Sequence, residues 1–291
     1  MRVNVICRNL DADRILPRFA RYLRDGLGWS LTPAPDGFAD VLYLMGYFET
    51  QVSPGWEQRT VASLFTHREE HPPGSPKAKL FDAIARRVDL RVTMNRLYGR
   101  SLEACGPTIQ PPLPVERFRF VPSPHPRRRR SVVGLAGFAY KNHRKGESWI
   151  RHVVRSTPDV DWVASGRGWP VPTKVYPWAE MPQFYQHLDV LVCPSLVEGG
   201  PMPPLEALAC GVTVVIPRGV GILDELPSHP GIVRYPRGDA AGLVRALKLA
   251  TTQPTVNSEA LRAITEPFTV EAWCRAHAEG FSQRFAQGEA A

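Results

Sequence analysis

Strand-like and helix-like segments alternate along almost the whole chain, and this alternation restricts the fold more than any other feature. In the first half, Arg2–Cys7, Asp40–Tyr47, Thr60–Thr66 and Leu90–Met94 have the apolar, β-branched character of buried strands. Between them, Asp13–Leu27 puts Ile15, Leu16, Phe19, Leu23 and Leu27 on one side of a helix, and Lys77–Arg87 and Leu97–Ala104 read as further helices. Pro107–Pro114 breaks the pattern, and Pro122–Arg130, with three prolines and four arginines, reads as a linker. The alternation then restarts. Strands are predicted at Ser131–Phe138, Val160–Ala164, Val190–Pro194, Val212–Ile216 and Ile232–Tyr235. Helices are predicted at Glu147–Ser156, Met181–His187, Leu205–Cys210, Ala240–Ala250 and Val270–Phe285. Such alternation calls for parallel sheets covered by helices, whose ligands bind at the carboxyl ends of the strands. A chain of 291 residues with 43% hydrophobic content can fill two cores of this kind.

One stretch carries chemistry as well as structure: Pro194-Ser-Leu-Val-Glu-Gly-Gly-Pro-Met-Pro-Pro-Leu-Glu-Ala-Leu-Ala-Cys-Gly211. Glu198 and Glu206 bracket seven residues that pass from a Gly-Gly turn into a helix. Pro203 and Pro204 suit the first helical turn, where a missing N–H costs nothing, and Gly211 suits a left-handed end. Free N–H groups at a helix start attract phosphate, whereas a carboxylate there accepts hydrogen bonds from vicinal hydroxyls. Together they suit a ligand that carries a diphosphate and sugar hydroxyls.

The stretch resembles the Glu-x7-Glu signature of the retaining glycosyltransferases of the GT-B fold, especially the large family 4. The likeness takes in Pro194-Ser195, the Gly-x-Pro after Glu198, Glu-Ala-Leu-Ala-Cys-Gly around Glu206 and the next strand, Val212–Ile216. It implies an α/β protein of the GT-B class, with two Rossmann-like parallel-sheet domains facing a cleft and a C-terminal helix crossing back. The expected division is an acceptor-side domain over 1–125, a basic linker over 126–130, a nucleotide-sugar domain over 131–266, and the returning helix over 267–291. The activity implied is transfer of a sugar, with retention, from a UDP- or GDP-sugar to an acceptor hydroxyl, without a prosthetic group.

The resemblance also implies roles for particular residues. In Gly137-Phe-Ala-Tyr-Lys-Asn-His-Arg-Lys145-Gly146, Lys145 matches the lysine that contacts the donor diphosphate, a point charge on phosphate oxygens. Relatives carry an arginine about six residues before it; here Ala139 stands there, and Lys141 or Arg144 could substitute. Val163–Gly168 resembles the strand and glycine loop of the nucleotide pocket, and Tyr176 is the expected base contact. Glu206 is expected on the ribose hydroxyls, and Glu198 with Gly199, Gly200, Pro201 and Met202 on the donor sugar. His67 resembles the histidine that reaches the donor sugar from the other domain. Relatives have paired glycines after the first strand, but this loop reads Cys7-Arg-Asn-Leu-Asp-Ala-Asp-Arg14, so Arg8, Asn9 or Arg14 would meet phosphate or acceptor instead. Taken singly, Lys145 also fits a solvated basic turn, Glu206 an exposed helix position and His67 a plain surface residue.

No metal is expected. The Asp-x-Asp spacings of metal-dependent transferases occur only at Asp11–Asp13 and Asp159–Asp161, away from the glutamate turn. Five scattered cysteines without Cys-x-x-Cys spacing point to a reducing cytoplasm rather than to zinc or disulfides. No apolar run reaches a membrane-spanning length of roughly 18–20 residues, and Val3–Cys7, followed by Arg8, is too short for a signal peptide.

Residues 1–130 hold 21 Lys and Arg against 13 Asp and Glu, while 131–291 hold 15 of each. A basic acceptor side suits an anionic or bulky acceptor: a saccharide, a lipid-linked intermediate with peripheral membrane contact, or DNA with hydroxymethylated bases. A reading of another class is a non-catalytic scaffold that binds a nucleotide sugar.

Overall fold

A computed structural model describes residues 1–12, 14–68, 71–123 and 129–285. The chain divides into two compact units, Met1–Pro114 together with the segment that starts at Val270, and Val115–Thr269. The first unit holds strands β1 (Val3–Ile6), β2 (Ser30–Thr32), β3 (Val41–Leu44), β4 (Val61–Phe65), β5 (Leu90–Thr93) and β6 (Thr108–Ile109). They form one parallel sheet in the order β2-β1-β3-β4-β5-β6. Helices α1 (Ile15–Leu27), α2 (Pro76–Arg87) and α3 (Arg96–Glu103) connect it. Ser75 caps α2 by accepting the Ala78 N–H at 3.2 Å, and Asn95 caps α3 through the Tyr98 N–H at 3.0 Å, each satisfying an orphan donor of the first turn. Ile6, Leu42, Leu44, Phe65, Phe81 and Ile84 fill the core on one face of this sheet.

The strand expected over Asp40–Tyr47 stops at Leu44, and Tyr47–Val52 winds into a 3-10 helix. Gly46 stands between the strand and this helix, with the Phe48 ring folded over it, 2.5 Å from where a Cβ would lie. The edge strands β2 and β6 were not foreseen. Strands of three and two residues at a sheet edge need no continuous apolar run to be recognised by their neighbours.

In the second unit, β7 (Val132–Phe138), β8 (Asp161–Arg167), β9 (Thr173–Lys174), β10 (Val190–Val192), β11 (Thr213–Pro217) and β12 (Ile232–Tyr235) also pair in parallel. Their order is β12-β11-β10-β7-β8-β9. The helices are α4 (Glu147–Arg155), α5 (Met181–Gln186), α6 (Met202–Ala209), α7 (Ala240–Thr252) and α8 (Ser258–Ala263). Val133, Leu135, Ile150, Trp162, Val192 and Leu247 belong to one core that joins sheet and helices. Helix α6 starts three residues before the position its apolar run predicts. It is almost wholly buried, so no amphipathic period marks its start. Pro203 and Pro204 lie in its first turn, and Gly211 follows its end with φ +76°.

The last helix, α9 (Val270–Phe285), belongs to the first unit. Trp273 packs 5.1 Å from Phe19, and Phe281 packs 5.1 Å from Tyr43, ring centre to ring centre. His277 is fully buried between them: its Nε2 lies 3.0 Å from the Tyr43 hydroxyl and its Nδ1 2.9 Å from the Trp273 carbonyl. The carbonyl can only accept, so Nδ1 carries the proton and Nε2 accepts from Tyr43.

Dividing the chain at Pro114 moves the basic excess. Val115–Thr269 carries 19 basic against 13 acidic residues, and the rest of the chain 17 against 15. Six arginines between Arg117 and Arg130 account for the change. Arg117 donates to Thr265, Arg119 pairs with Glu116, and Arg130 pairs with Asp161, so these three serve the second unit's own structure. Arg127 and Arg128 of the expected linker lie outside the described residues, as do Asp13, Glu69 and Glu70.

Candidate functional site

Strand β10 pairs with β7, with Val190 opposite Val133 and Leu191 opposite Gly134, although β8 and β9 come between them in the chain. From β7 the chain proceeds to β8 on one side, and from β10 to β11 on the other. This is a topological switch point, where connections leave in opposite directions and open a crevice at the carboxyl ends. The connection after β7 delivers Lys145, and the connection after β10 delivers Ser195 and Glu198.

There the Lys145 ammonium pairs with Glu198 Oε1, and the Ser195 hydroxyl donates to the same oxygen at 2.8 Å. Burial works against the charge on Lys145, but attraction and the hydrogen bond to Glu198 outweigh it, so its pKa lies above the ordinary lysine value. The two connections are laced together. The Leu196 N–H donates to the Arg144 carbonyl at 2.7 Å. Gly146 has φ +81°, and a Cβ there would fall 2.3 Å from the Pro194 carbonyl oxygen, so only glycine lets the lysine loop lie this close to the end of β10. Ala136, Trp169, Pro201 and Pro203 line the same crevice. The Trp169 ring nitrogen donates to the Gly137 carbonyl at 2.8 Å. Cys193 also lines it, but burial pushes its thiol up to about 11, which keeps it protonated and unreactive at neutral pH.

From Glu198 the chain passes through Gly199, Gly200 and Pro201 into α6, so Met202 is the first helical residue. Glu206 lies one turn further and is only 2% exposed. Its Oε2 accepts the Tyr185 hydroxyl at 2.7 Å. The exposed helix glutamate that the sequence also allowed is therefore excluded; a buried carboxylate needs such a donor. Tyr185, itself fully buried on α5, is a neighbour of Glu206 that sequence reasoning missed. An aromatic residue in an apolar helix reads as core, and only the fold shows where its hydroxyl points.

The other sequence candidates fall as follows. Lys141 is exposed, and the Arg144 guanidinium sits 4.3 Å from the centre of the Tyr140 ring. Tyr176 is half-buried, 5.4 Å from Phe184, with the Lys174 ammonium 4.4 Å from its ring centre. In the first unit, His67 follows β4 and is 8% exposed, its ring 6.5 Å from that of Tyr98; it is not a plain surface residue. Its neighbour Arg68 makes two hydrogen bonds with Asp82, at 2.7 and 2.9 Å.

Arg8 is engaged at the switch point of its own sheet, where β1 lies between β2 and β3. Glu49, 3% exposed, accepts the Arg8 Nε–H at 2.8 Å and the Arg8 backbone N–H at 3.3 Å. The carboxylate thus stands on the amide that the resemblance would leave to a phosphate or acceptor. Asn9 is exposed with φ +56°, and Arg14 is exposed just before α1. Among the described residues, no three His, Cys, Asp or Glu side chains are grouped to hold a metal ion.

Residues 172–265, which include Tyr185, Glu198 and Glu206 but not Lys145, match the family described as glycosyl transferases group 1. No curated protein sequence matches the chain significantly. Among solved structures it is similar to sucrose-phosphate synthase from Thermosynechococcus elongatus, at 17% identity and TM-score 0.70, over 94% of this chain and 79% of that one. It is similar to Anabaena HepE in complex with UDP, at 13% identity and TM-score 0.74, over 97% of this chain and all of the other. It is also similar to the catalytic domain of starch synthase IV from Arabidopsis thaliana bound to ADP and acarbose, at 13% identity and TM-score 0.63, over 94% and 77% of the two chains. The chain has the GT-B fold, built from two six-stranded parallel α/β units.

Proposed function

We propose that the chain is a retaining glycosyltransferase that takes its sugar from a nucleoside diphosphate sugar. The observation that carries this reading is the Lys145–Glu198–Ser195 cluster at the switch point of the second sheet, beside the start of α6. In this reading the diphosphate lies against Lys145 and the N–H groups of Gly199, Gly200 and Met202. Glu198 accepts hydroxyls of the donor sugar, Glu206 accepts the ribose hydroxyls, and Tyr176 meets the base. The matched segment and the nucleotide named with HepE support a donor of this class. UDP is named for HepE and ADP for the starch synthase, so the base is open between relatives of this fold.

The bond between the anomeric carbon and the diphosphate breaks, and the acceptor oxygen forms its bond to that carbon from the same face. The acceptor proton passes to the departing phosphate oxygen, so no protein base is required. Negative charge grows on the diphosphate as it leaves, and Lys145 with the helix-start amides stabilises it. They take the part a divalent ion plays in metal-dependent transferases. The role of His67 toward the donor sugar rests on the resemblance alone.

For the acceptor, we favour a saccharide or lipid-linked saccharide. The charge argument for DNA loses its footing once the first unit is seen to hold 17 basic and 15 acidic residues. We place the reaction in the cytoplasm on the cysteine pattern; no helix among the described residues is long and apolar enough to cross a membrane.

The test is slow release of free sugar from UDP-, GDP- and ADP-sugars, with and without a chelator. One donor is expected to turn over in both conditions, and Glu206→Ala to lose at least about 90% of that rate, since it gives up a hydrogen bond to a charged group. Equal background rates for wild type and variant would favour a non-catalytic scaffold.

A further inference from the structure

We propose that Glu147 is a positioning residue for Lys145: its carboxylate clasps both ends of the loop that carries the ammonium into the crevice. The inference rests on the nucleotide-sugar reading above. Glu147 is the first residue of α4 and is not among the crevice-lining residues, so it would act through the loop and not on the ligand. One of its carboxylate oxygens accepts the Tyr140 backbone N–H, near the loop's beginning. The other accepts the Lys145 backbone N–H at 3.0 Å, at the loop's end.

Hydrogen bonds to an ionised carboxylate are stronger than neutral ones, and a negative charge at the start of α4 is favoured by the helix dipole. Inside the stretch, the Arg144 N–H donates to Asn142 Oδ1 at 3.4 Å and the Arg144 guanidinium lies over the Tyr140 ring, while the two ends meet on Glu147. Lys141, Asn142 and His143 are exposed, and His143 adopts a left-handed φ of +56°. Turn bonds run from His143 N–H to the Tyr140 carbonyl (2.9 Å) and from Gly146 N–H to the His143 carbonyl (3.0 Å). On the far side, Gly146 presses against the Pro194 carbonyl and fixes where the loop meets β10. Lys145 is the basic side chain among the crevice-lining residues, and Ala139 occupies the position where relatives have a second cation. A site that relies on one ammonium gains most from holding it still.

The test is binding of UDP and of UMP by titration calorimetry to the full chain, to Glu147→Gln, to Lys145→Ala and to the double variant. Glutamine keeps one acceptor but turns a donor toward the other amide. Glu147→Gln is expected to weaken UDP about tenfold while changing UMP by less than about twofold, and to add nothing in the Lys145→Ala background. Glu147→Asp keeps the charge at the helix start but shortens the reach, and is expected to behave like the glutamine variant. Equal weakening of UDP and UMP, or an undiminished effect in the Lys145→Ala background, would overturn the proposal by showing a general structural role. If the wild-type chain binds neither uridine nucleotide, the same comparison is made with GDP and GMP and with ADP and AMP; binding of none of these means that the donor reading fails. The clasp then stands or falls on amide exchange at Tyr140 and Lys145 in the free protein, which must quicken about tenfold or more in Glu147→Gln.

Discussion

At the scale of the residue, the site is governed by charges that neutralise one another across the crevice. Lys145 and Glu198 are 14% and 8% exposed as side chains, so each has given up most of its water for the other. Removing one partner from such a pair leaves the other charged and poorly solvated. Lys145→Met is therefore expected to lower unfolding stability by roughly 2–3 kcal/mol, near the lower end for broken buried pairs because some solvent reaches this one. Adding Glu198→Gln, which keeps the Ser195 hydrogen bond, should recover most of the loss. Urea denaturation of the two variants decides the matter; a single variant as stable as wild type would mean that the pair is not formed in solution. Little of this was legible in the chain. Lys145, Glu198 and Glu206 stand out by their surroundings in the sequence, but Glu147 resembles any acid at a helix start, and Tyr185 any core aromatic. Arg8 and Glu49 lie 41 residues apart, and only the order of β1 and β3 brings them together.

At the scale of the element, strands buried on both faces declared themselves as apolar runs. Val61–Phe65 and Val190–Val192 are examples, each wholly buried. Edge strands such as β6 and β9, of two residues each, gave no such signal. Helix α9 was legible as a helix, but what it buries was not, because Trp273, His277 and Phe281 meet partners far away in the sequence. Burial lowers the His277 pKa to about 3, against the opposing effect of its bond to the Trp273 carbonyl. Between that value and the ordinary 6.5, the unfolded chain binds a proton that the native chain does not. His277 therefore contributes its full stability above about 6.5 and loses it as the pH falls toward 3. In the wild type this amounts to about 1 kcal/mol per pH unit. His277→Gln is expected to be less stable at pH 7 yet to show a shallower decline on acidification, since the other histidines are common to both proteins. Parallel curves of stability against pH would remove His277 from the account.

At the scale of the whole molecule, the alternation of strands and helices gave the class of fold, and the glutamate turn points to the unit in which the proposed donor would bind. Charge misled. Counted across the expected linker, the positive excess belongs to the first half; counted by compact unit, most of it belongs to Val115–Thr269. Six arginines near a boundary were enough to reverse the inference, because a boundary cannot be drawn from composition to better than some residues. The central claim is that a nucleoside diphosphate occupies the crevice between the ends of β7 and β10. Amide hydrogen exchange with and without saturating UDP, GDP or ADP tests it most directly. The account predicts that one of these slows exchange at Lys145, Gly146, Gly199, Gly200 and Met202, and that Lys145→Ala abolishes the effect. Protection confined to other segments, or none with any of the three, would contradict it.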